Sequence, residues 1–251
     1  MATQPPWASG PGEILKHGLE LLKKDTDTNR RLTMISIDNA VELMIKTYLG
    51  LPQRVTGLKI SRSEYREFAE SFPKLLDALE KYASDKLDGI NLGEIEWYHR
   101  IRNELYHQGN GLTVERDKVE IYAELANVLF ANLFGFRLVK PEEDETVMLG
   151  EFMQAWVNFE KTLLDAASLL KVDTRGRPVM PLHIVEVLAS GGFISKVELN
   201  EINQIRQIRN QVVHGVLNYK DALKPEMTKR LESITSELRK RLQAGRKDSP
   251  E

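Results

Sequence analysis

The chain has 251 residues, of which 41% are hydrophobic and 29% are charged, and its formal net charge at pH 7 is −2. This composition is typical of a soluble globular protein, and the length fits one large domain or two domains of ordinary size. The absence of cysteine excludes disulfide frameworks, thiolate zinc sites and cysteine nucleophiles. The near-neutral net charge does not by itself indicate a nucleic-acid-binding protein.

Neither a membrane span nor a signal peptide is predicted. No apolar run approaches the roughly 18–20 residues that a membrane-spanning helix needs. The first twelve residues, MATQPPWASGPG, have no basic segment followed by an apolar one. We therefore expect no membrane partner and a cytoplasmic location. The three prolines and two glycines of this segment predict a flexible lead-in over residues 1–11.

Helical spacing of apolar residues dominates from Gly12 onward. Within residues 29–49 one apolar stripe recurs at three- and four-residue steps, formed by Met34, Ile37, Val41, Met44 and Tyr48. A separate polar face of the same helix carries Asp38, Glu42 and Lys46. The same spacing predicts further helices over 63–84 (interrupted at Pro73), 92–107 and 115–136.

The acidic segment VKPEEDET, residues 139–146, interrupts the helical pattern and has nothing to bury. It predicts a linker between a first helical domain, residues 12–138, and a second, residues 147–243, followed by a polar tail, residues 244–251. Helical spacing in the second domain covers residues 148–170, 180–189, 196–214 and 225–243. Strand-like alternation of useful length is missing throughout, so the predicted fold class is all-α.

The two halves of the chain repeat each other. When Leu92 is placed over Leu199, LGEIEWYHRIRNELYH aligns with LNEINQIRQIRNQVVH, and seven of sixteen residues are identical without a gap. Glu42 and Glu160 occupy comparable positions in the preceding amphipathic helices. Two related helical domains in tandem are therefore predicted.

The repeated core is a motif of Arg, Asn, three variable residues and His. It occurs as Arg102-Asn103 with His107, and again as Arg209-Asn210 with His214. From composition alone one such motif is expected about 0.02 times in a chain of this kind, and here it occurs twice within aligned repeats. The motif is therefore the most informative feature of the sequence.

Helical geometry places both arginines on apolar faces. Arg209 lies among Ile202, Ile205, Val212 and Val213, and Arg102 lies in the same way among Ile95, Tyr98 and Leu105. A guanidinium on a buried face is costly unless it is paired or faces a polar cavity. One interpretation is a structural salt bridge, from Arg102 to Glu42 and from Arg209 to Glu160; the other is a ligand site.

The histidines bear on this choice. Five residues along an ideal helix turn through about 500°, so the Arg and His of one motif diverge by about 140°. They converge if the helix ends near the His, or if Arg and His of different copies meet across an interface. Gly109 and Gly215 follow the histidines and are predicted to end the helices in a left-handed conformation.

These motifs give the chain a resemblance to the HEPN superfamily, small all-α domains that bear an Arg, a polar residue often Asn, three variable residues and a His. In that superfamily the motif usually comes together across a dimer, and many members are metal-independent endoribonucleases. The resemblance implies two tandem HEPN-like helical bundles that form a pseudo-dimer within one chain. Their four motif side chains would face one cleft: Arg102, His107, Arg209 and His214.

The chemistry of RNA fits this resemblance. RNA carries its own nucleophile, the 2′-OH, so cleavage needs proton transfer and charge stabilisation rather than a metal or cofactor. One His would accept the 2′-OH proton and the other would protonate the departing 5′-oxygen, leaving a 2′,3′-cyclic phosphate and a 5′-OH. The arginines would bind the scissile phosphate. The expected catalytic residues are Arg102, His107, Arg209 and His214, and the expected substrate-binding residues are Asn103 and Asn210.

We expect single-stranded RNA or tRNA as the partner, in stress response or defence, and we leave open a homodimer or a regulatory protein partner. No metal site is expected, because no HExxH or similar ligand spacing occurs. Two other interpretations remain. One is a catalytically silent HEPN-like scaffold that binds a nucleotide, RNA or a protein. The other is a helical interaction protein whose Arg and His residues are structural.

Overall fold

A computed structural model describes residues 5–107, 113–138, 144–170 and 181–247. Within these ranges the protein is helical and contains no strand, so the all-α prediction is confirmed. The chain divides into two compact units, Met1–Glu142 and Glu143–Glu251. Most of the predicted linker, residues 139–143, lies outside the described ranges, whereas residues 144–146 already belong to a helix.

The first unit is built around one long helix. Its helices are α1 (Pro6–Leu22), α2 (Asp27–Gly50), α3 (Gln53–Thr56), α4 (Arg62–Phe68), α5 (Phe72–Ala83), α6 (Leu92–His107) and α7 (Arg116–Phe134). A short 3-10 turn, Ser84–Lys86, follows α5. Helix α2 packs against α1, α5, α6 and α7. The apolar stripe predicted for α2 is buried, so this helix supplies the centre of the core.

Residues 6–11, which the sequence analysis assigned to a flexible lead-in, instead form the first turns of α1. Pro6 lies at the first helical position, where its missing N–H costs nothing. Ala8 and Leu15 are fully buried, and Gly18 lies so close to α2 that an added Cβ would meet the Cβ of Ser36 at 3.1 Å. The packing of α1 against α2 therefore outweighs the helix-breaking tendency of its prolines.

The second unit contains α8 (Asp144–Leu169), α9 (Pro181–Ser190), α10 (Lys196–Val213), α11 (Tyr219–Ala222) and α12 (Pro225–Lys247). Helix α8 packs against α9, α11 and α12, and α10 packs against α9, α11 and α12. Helix α12 continues to Lys247, so the polar tail predicted from residue 244 begins inside a helix. Of the helices described in the two units, none has both the length and the apolar character needed to cross a membrane.

Ion pairs join α10 to α12. Arg241 Nη1 and Nη2 donate to the two carboxylate oxygens of Glu198 at 2.8 and 2.9 Å. Arg230 donates through Nε and Nη2 to Glu201 Oε2 at 3.0 and 2.7 Å. Both acidic residues of α10 are thereby engaged, and two of the basic residues of α12 hold the helices together.

Candidate functional site

In the first unit, the motif arginine is anchored to α2. Arg102 Nε donates to Asp38 Oδ2 at 2.6 Å, and Arg102 Nη1 donates to Asn103 Oδ1 at 2.9 Å. The Asp38 side chain is fully buried, and 15% of the Arg102 side chain is exposed. The structure therefore brings Arg102 and Asn103 together and fixes the guanidinium by a charge-assisted hydrogen bond.

Asp38 is the centre of a buried polar cluster. Besides Arg102, it accepts a hydrogen bond from the Tyr122 hydroxyl at 2.8 Å, and His99 Nδ1 lies 3.0 Å from its Oδ2. Burial, followed by the nearby Asp38 charge, raises the pKa of Tyr122 well above its ordinary value. Four polar side chains from α2, α6 and α7 thus satisfy one another inside the unit.

Aromatic rings fix the geometry of this cluster. The His99 ring stacks on Phe72, with centroids 3.9 Å apart and an interplanar angle of 13°. The Tyr122 ring stacks on Tyr98, with centroids 4.5 Å apart and an interplanar angle of 8°. Tyr98 is fully buried, which agrees with its place on the apolar face predicted around Arg102. The hydrogen-bonding groups around Asp38 are therefore held in place by packed rings.

The salt bridge predicted between Arg102 and Glu42 is present, but Arg102 makes a shorter one to Asp38 that was not predicted. Glu42 Oε2 lies 3.8 Å from Arg102 Nη2, while Glu42 Oε1 accepts from Lys46 Nζ at 2.6 Å. Asp38, one turn earlier on the same face of α2, makes the close contact. Asp38 was predicted to lie on a polar face of α2, without a partner. The three-residue spacing of His99 and Arg102 on α6 is the signal that points to one shared acceptor.

His107 is the last residue of α6 and is exposed. The neighbouring Tyr106 is 64% exposed, and its ring meets the imidazole edge-on, with centroids 5.4 Å apart. Gly109, which was predicted to end this helix, lies outside the described residues. His107 is therefore presented to solvent at the carboxyl end of a helix.

In the second unit, the motif arginine lies beside a tryptophan. Arg209 is 4% exposed, and its Cζ lies 6.0 Å from the centroid of the Trp156 ring. Trp156 Nε1 donates to Glu160 Oε1 at 2.9 Å. Trp156, which the sequence analysis did not single out, thus contacts both residues of the salt bridge predicted between Arg209 and Glu160.

His214 follows the last residue of α10 and is exposed, like His107. Its backbone N–H donates to the Asn210 carbonyl at 3.0 Å. Gly215 has a φ of 66°, and the next N–H, from Val216, donates to the Gln211 carbonyl at 2.8 Å. The predicted left-handed helix end at Gly215 is therefore confirmed. Asn210, the remaining residue of the second motif, has an exposed side chain.

An open polar groove of about 530 Å³ runs along α10. The described residues that line it are Asn200, Asn203, Gln204, Arg206, Gln207, Asn210 and Gln211. Six of the seven carry side-chain amides, and the seventh is an arginine. One expected substrate-binding residue, Asn210, therefore belongs to a groove whose other lining residues were not predicted.

The two motifs have different surroundings. Asp38 lies one turn before Glu42, and Trp156 lies one turn before Glu160, so an indole occupies the place of the buried carboxylate. In the aligned motif helices, His99 corresponds to Arg206. The first motif arginine therefore lies in a network that contains the Asp38 carboxylate. At the aligned positions the second unit has Trp156 and a further arginine, Arg206.

Within the described parts of the chain, no group of three or more His, Asp or Glu side chains is arranged to hold a metal ion. The chain was also compared with known proteins, and no protein-family model, curated protein or solved structure matches it. The geometry of the two motifs is therefore the basis for assigning a function.

Proposed function

We propose that this protein is a metal-independent endoribonuclease of the HEPN type, which cleaves RNA to give 2′,3′-cyclic phosphate and 5′-OH ends. One observation carries the proposal. Each of the two Arg-Asn-x3-His motifs presents its histidine at the exposed carboxyl end of a helix, while its arginine is held at a fixed, mostly buried position. The proposal includes the composite site, in which the two motifs act on one phosphate.

The proton transfers would be made by His107 and His214. One imidazole takes the proton from the 2′-OH, the oxygen attacks the adjacent phosphorus, and the P–O5′ bond breaks as the second histidine protonates the 5′-oxygen. Their position at helix ends exposes both rings, so that an RNA strand has access to them.

The arginines would stabilise the charge on the phosphate. The Asp38 contact uses Arg102 Nε and the Asn103 contact uses Nη1, so the guanidinium is oriented before a substrate arrives. Such preorganisation reduces the reorganisation required in the transition state. Asn103 and Asn210 would contact the phosphate or the ribose of the substrate. The same proposal assigns the protein a cytoplasmic role in stress response or defence, with single-stranded RNA or tRNA as substrate.

A specific observation favours a second function, that of a catalytically silent scaffold. Arg102 is paired with a fully buried Asp38, and Arg209 is itself 4% exposed. Arginines enclosed in this way have a structural role without any substrate. The two functions make opposite predictions for RNA cleavage.

The deciding experiment incubates end-labelled total tRNA and a generic single-stranded RNA with the full chain in EDTA. Wild type is compared with the His107→Ala/His214→Ala variant and with a matched control, His17→Ala/His183→Ala, which removes two exposed histidines outside the motifs. We expect wild type and control to give cyclic-phosphate ends and the motif variant to give none. Equal cleavage by all three proteins would refute the assignment of the catalytic residues, and no cleavage by any of them would favour the scaffold.

A further inference from the structure

The solvent-facing side of α10 has an unusual composition for a helix surface. Six of the seven described residues that line its groove have neutral amide side chains. Solvent-exposed helix faces more often carry Lys and Glu, which support each other at i and i+4. Amide side chains instead offer both a donor and an acceptor, the combination that recognises polar groups of a ligand such as base edges and ribose hydroxyls.

Arg206 lies within this groove. Its Nε is buried and, among the described residues, has no hydrogen-bond partner. Buried polar atoms without a partner are rare in folded proteins, and here Nε does not anchor the guanidinium of Arg206 to the rest of the unit. No carboxylate of the described residues pairs with Arg206, whereas the two acids of α10, Glu198 and Glu201, are both engaged by α12.

Neighbouring positions on the helix extend the site. Asn203 and Asn210 lie three residues before and four residues after Arg206, so the three side chains share one face. All three line the groove. A guanidinium flanked by amides suits a phosphate and the sugar or base attached to it. The groove volume of about 530 Å³ is within the usual range for small-ligand sites.

The first unit lacks this arrangement at the aligned position. His99 is stacked on Phe72 and lies 3.0 Å from the Asp38 carboxylate. In the second unit the corresponding carboxylate is replaced by Trp156, and Arg206 takes the place of the histidine. The positive charge of Arg206 is therefore not neutralised by the buried cluster that holds its counterpart.

We propose that the α10 groove binds single-stranded RNA, with Arg206 on a backbone phosphate and the amides of Asn203, Gln207 and Asn210 on the adjoining ribose or base. This inference rests on the proposed function for its choice of RNA as the ligand. It adds a binding site outside the two motif arginines and histidines. It also makes the two units unequal, since the second unit provides the additional phosphate contact.

The test measures RNA binding without cleavage. The parent protein is the full-length His107→Ala/His214→Ala variant, and the probe is a short fluorescein-labelled single-stranded RNA of mixed sequence, followed by fluorescence anisotropy over a range of KCl concentrations. We expect Arg206→Gln in this background to raise Kd about tenfold at low salt. The slope of log Kd against log salt is expected to fall by about 0.7, which corresponds to one lost phosphate contact on a single strand.

Two further variants sharpen the result. Lys229→Gln removes an exposed charge from α12 of the same unit and is expected to change Kd less than about twofold. Asn203→Asp keeps the size of the side chain and places a negative charge in the groove, so it is expected to weaken binding about tenfold or more. Circular dichroism of each variant establishes that the helices are retained.

The outcomes separate this proposal from the nuclease. If Arg206→Gln binds the probe as tightly as its parent and with the same salt slope, the groove does not bind RNA, whatever the cleavage assay shows. If binding depends on Arg206 but the wild-type protein cleaves no RNA, the proposed RNA-binding role of the groove is supported and the proposed nuclease activity is refuted. If the parent does not bind the probe at all, the α10 proposal is overturned.

Discussion

Arg102 of α6 and Asp38 of α2 form a buried ion pair in which Nε and Oδ2 are 2.6 Å apart. The pair joins the first motif directly to the central helix of its unit. Because Asp38 also accepts from Tyr122 and lies beside His99, its single carboxylate links α2 to side chains of α6 and α7. The position of Arg102 is therefore tied to the stability of the core.

Replacing Asp38 with Asn should destabilise the first unit strongly. The substitution removes the buried negative charge and leaves the mostly buried Arg102 without its closest counter-charge, a change that typically costs about 3–5 kcal/mol. The measurement is urea denaturation followed by circular dichroism. Glu42→Gln is the matched control, since Glu42 is partly exposed and 3.8 Å from Arg102, and its cost should stay below about 1 kcal/mol. Equal effects of the two substitutions would contradict the central role of Asp38.

Replacing Tyr122 with Phe should remove a hydrogen bond while keeping the ring stacked on Tyr98. The Tyr122 hydroxyl is buried and donates to a carboxylate, so its loss should cost about 1.5–3 kcal/mol at pH 7. Tyr82→Phe, which removes a hydroxyl bound to the exposed Glu64, is the control and should have a smaller effect. Urea denaturation of both variants at pH 7 makes the comparison.

The stability difference between wild type and Tyr122→Phe should also depend on pH in the alkaline range. Burial, and then the Asp38 charge, raises the pKa of Tyr122 well above the ordinary 10.0 in the folded state. The contribution of a group with a raised pKa is complete below its unfolded pKa and is lost as the pH rises through the folded pKa. The stability advantage of wild type over Tyr122→Phe should therefore be constant below about pH 10 and shrink above it. An advantage that grows above pH 10 would contradict the assignment.

Much of the helical layout could be predicted from apolar spacing. The helix predicted over residues 92–107 has the same bounds in the structure, and the other long helices differ from prediction mainly at their ends. Apolar periodicity is strong where a helix buries a stripe and weak at its termini, where capping and tertiary contacts decide. The start of α1 shows this limit, because its burial against α2 overrides the local signals of its prolines.

The candidate site was predicted less completely. The motif arginines were correctly assigned to buried faces, and Glu42 is one partner of Arg102, but Asp38, its closest carboxylate, was not identified as a partner. Asp38 and Glu42 lie one turn apart on the same face of α2, so periodicity cannot choose between them. The choice depends on how α2 and α6 pack, which brings His99, Arg102 and Tyr122 around Asp38. The Trp156 contact of Arg209 depends in the same way on tertiary packing.

Replacing Glu198 with Gln should destabilise the second unit in a pH-dependent way. Hydrogen bonds from Arg241, and then from the Ser195 backbone and side chain, lower the Glu198 pKa from 4.5 to about 2. Gln keeps the capping interaction with Ser195 but removes the charge that pairs with Arg241. Because the Arg241 side chain is 38% exposed, solvent screening limits the expected cost at pH 7 to about 1 kcal/mol.

The sign of the Glu198 pH dependence follows from the lowered pKa. The stability that the charged carboxylate contributes is complete above pH 4.5 and is lost as the pH falls toward 2. The difference between wild type and Glu198→Gln should therefore narrow across this interval in urea denaturation experiments. Glu232→Gln, at an exposed position of α12, is the control and should track wild type at every pH. A difference that stays constant down to the lower end of the interval would rule out the Arg241 pairing as its source.

A composite nuclease site should respond to single histidine substitutions as strongly as to the double one. If His107 and His214 transfer protons to and from the same phosphodiester, loss of either interrupts the reaction, and catalytic groups that act as one unit are strongly non-additive. We therefore expect His107→Ala and His214→Ala each to remove nearly all cleavage in the EDTA assay. Two independent sites would instead leave about half the activity in each single variant. Initial rates at saturating RNA distinguish the two cases, since a partial loss of binding does not lower them.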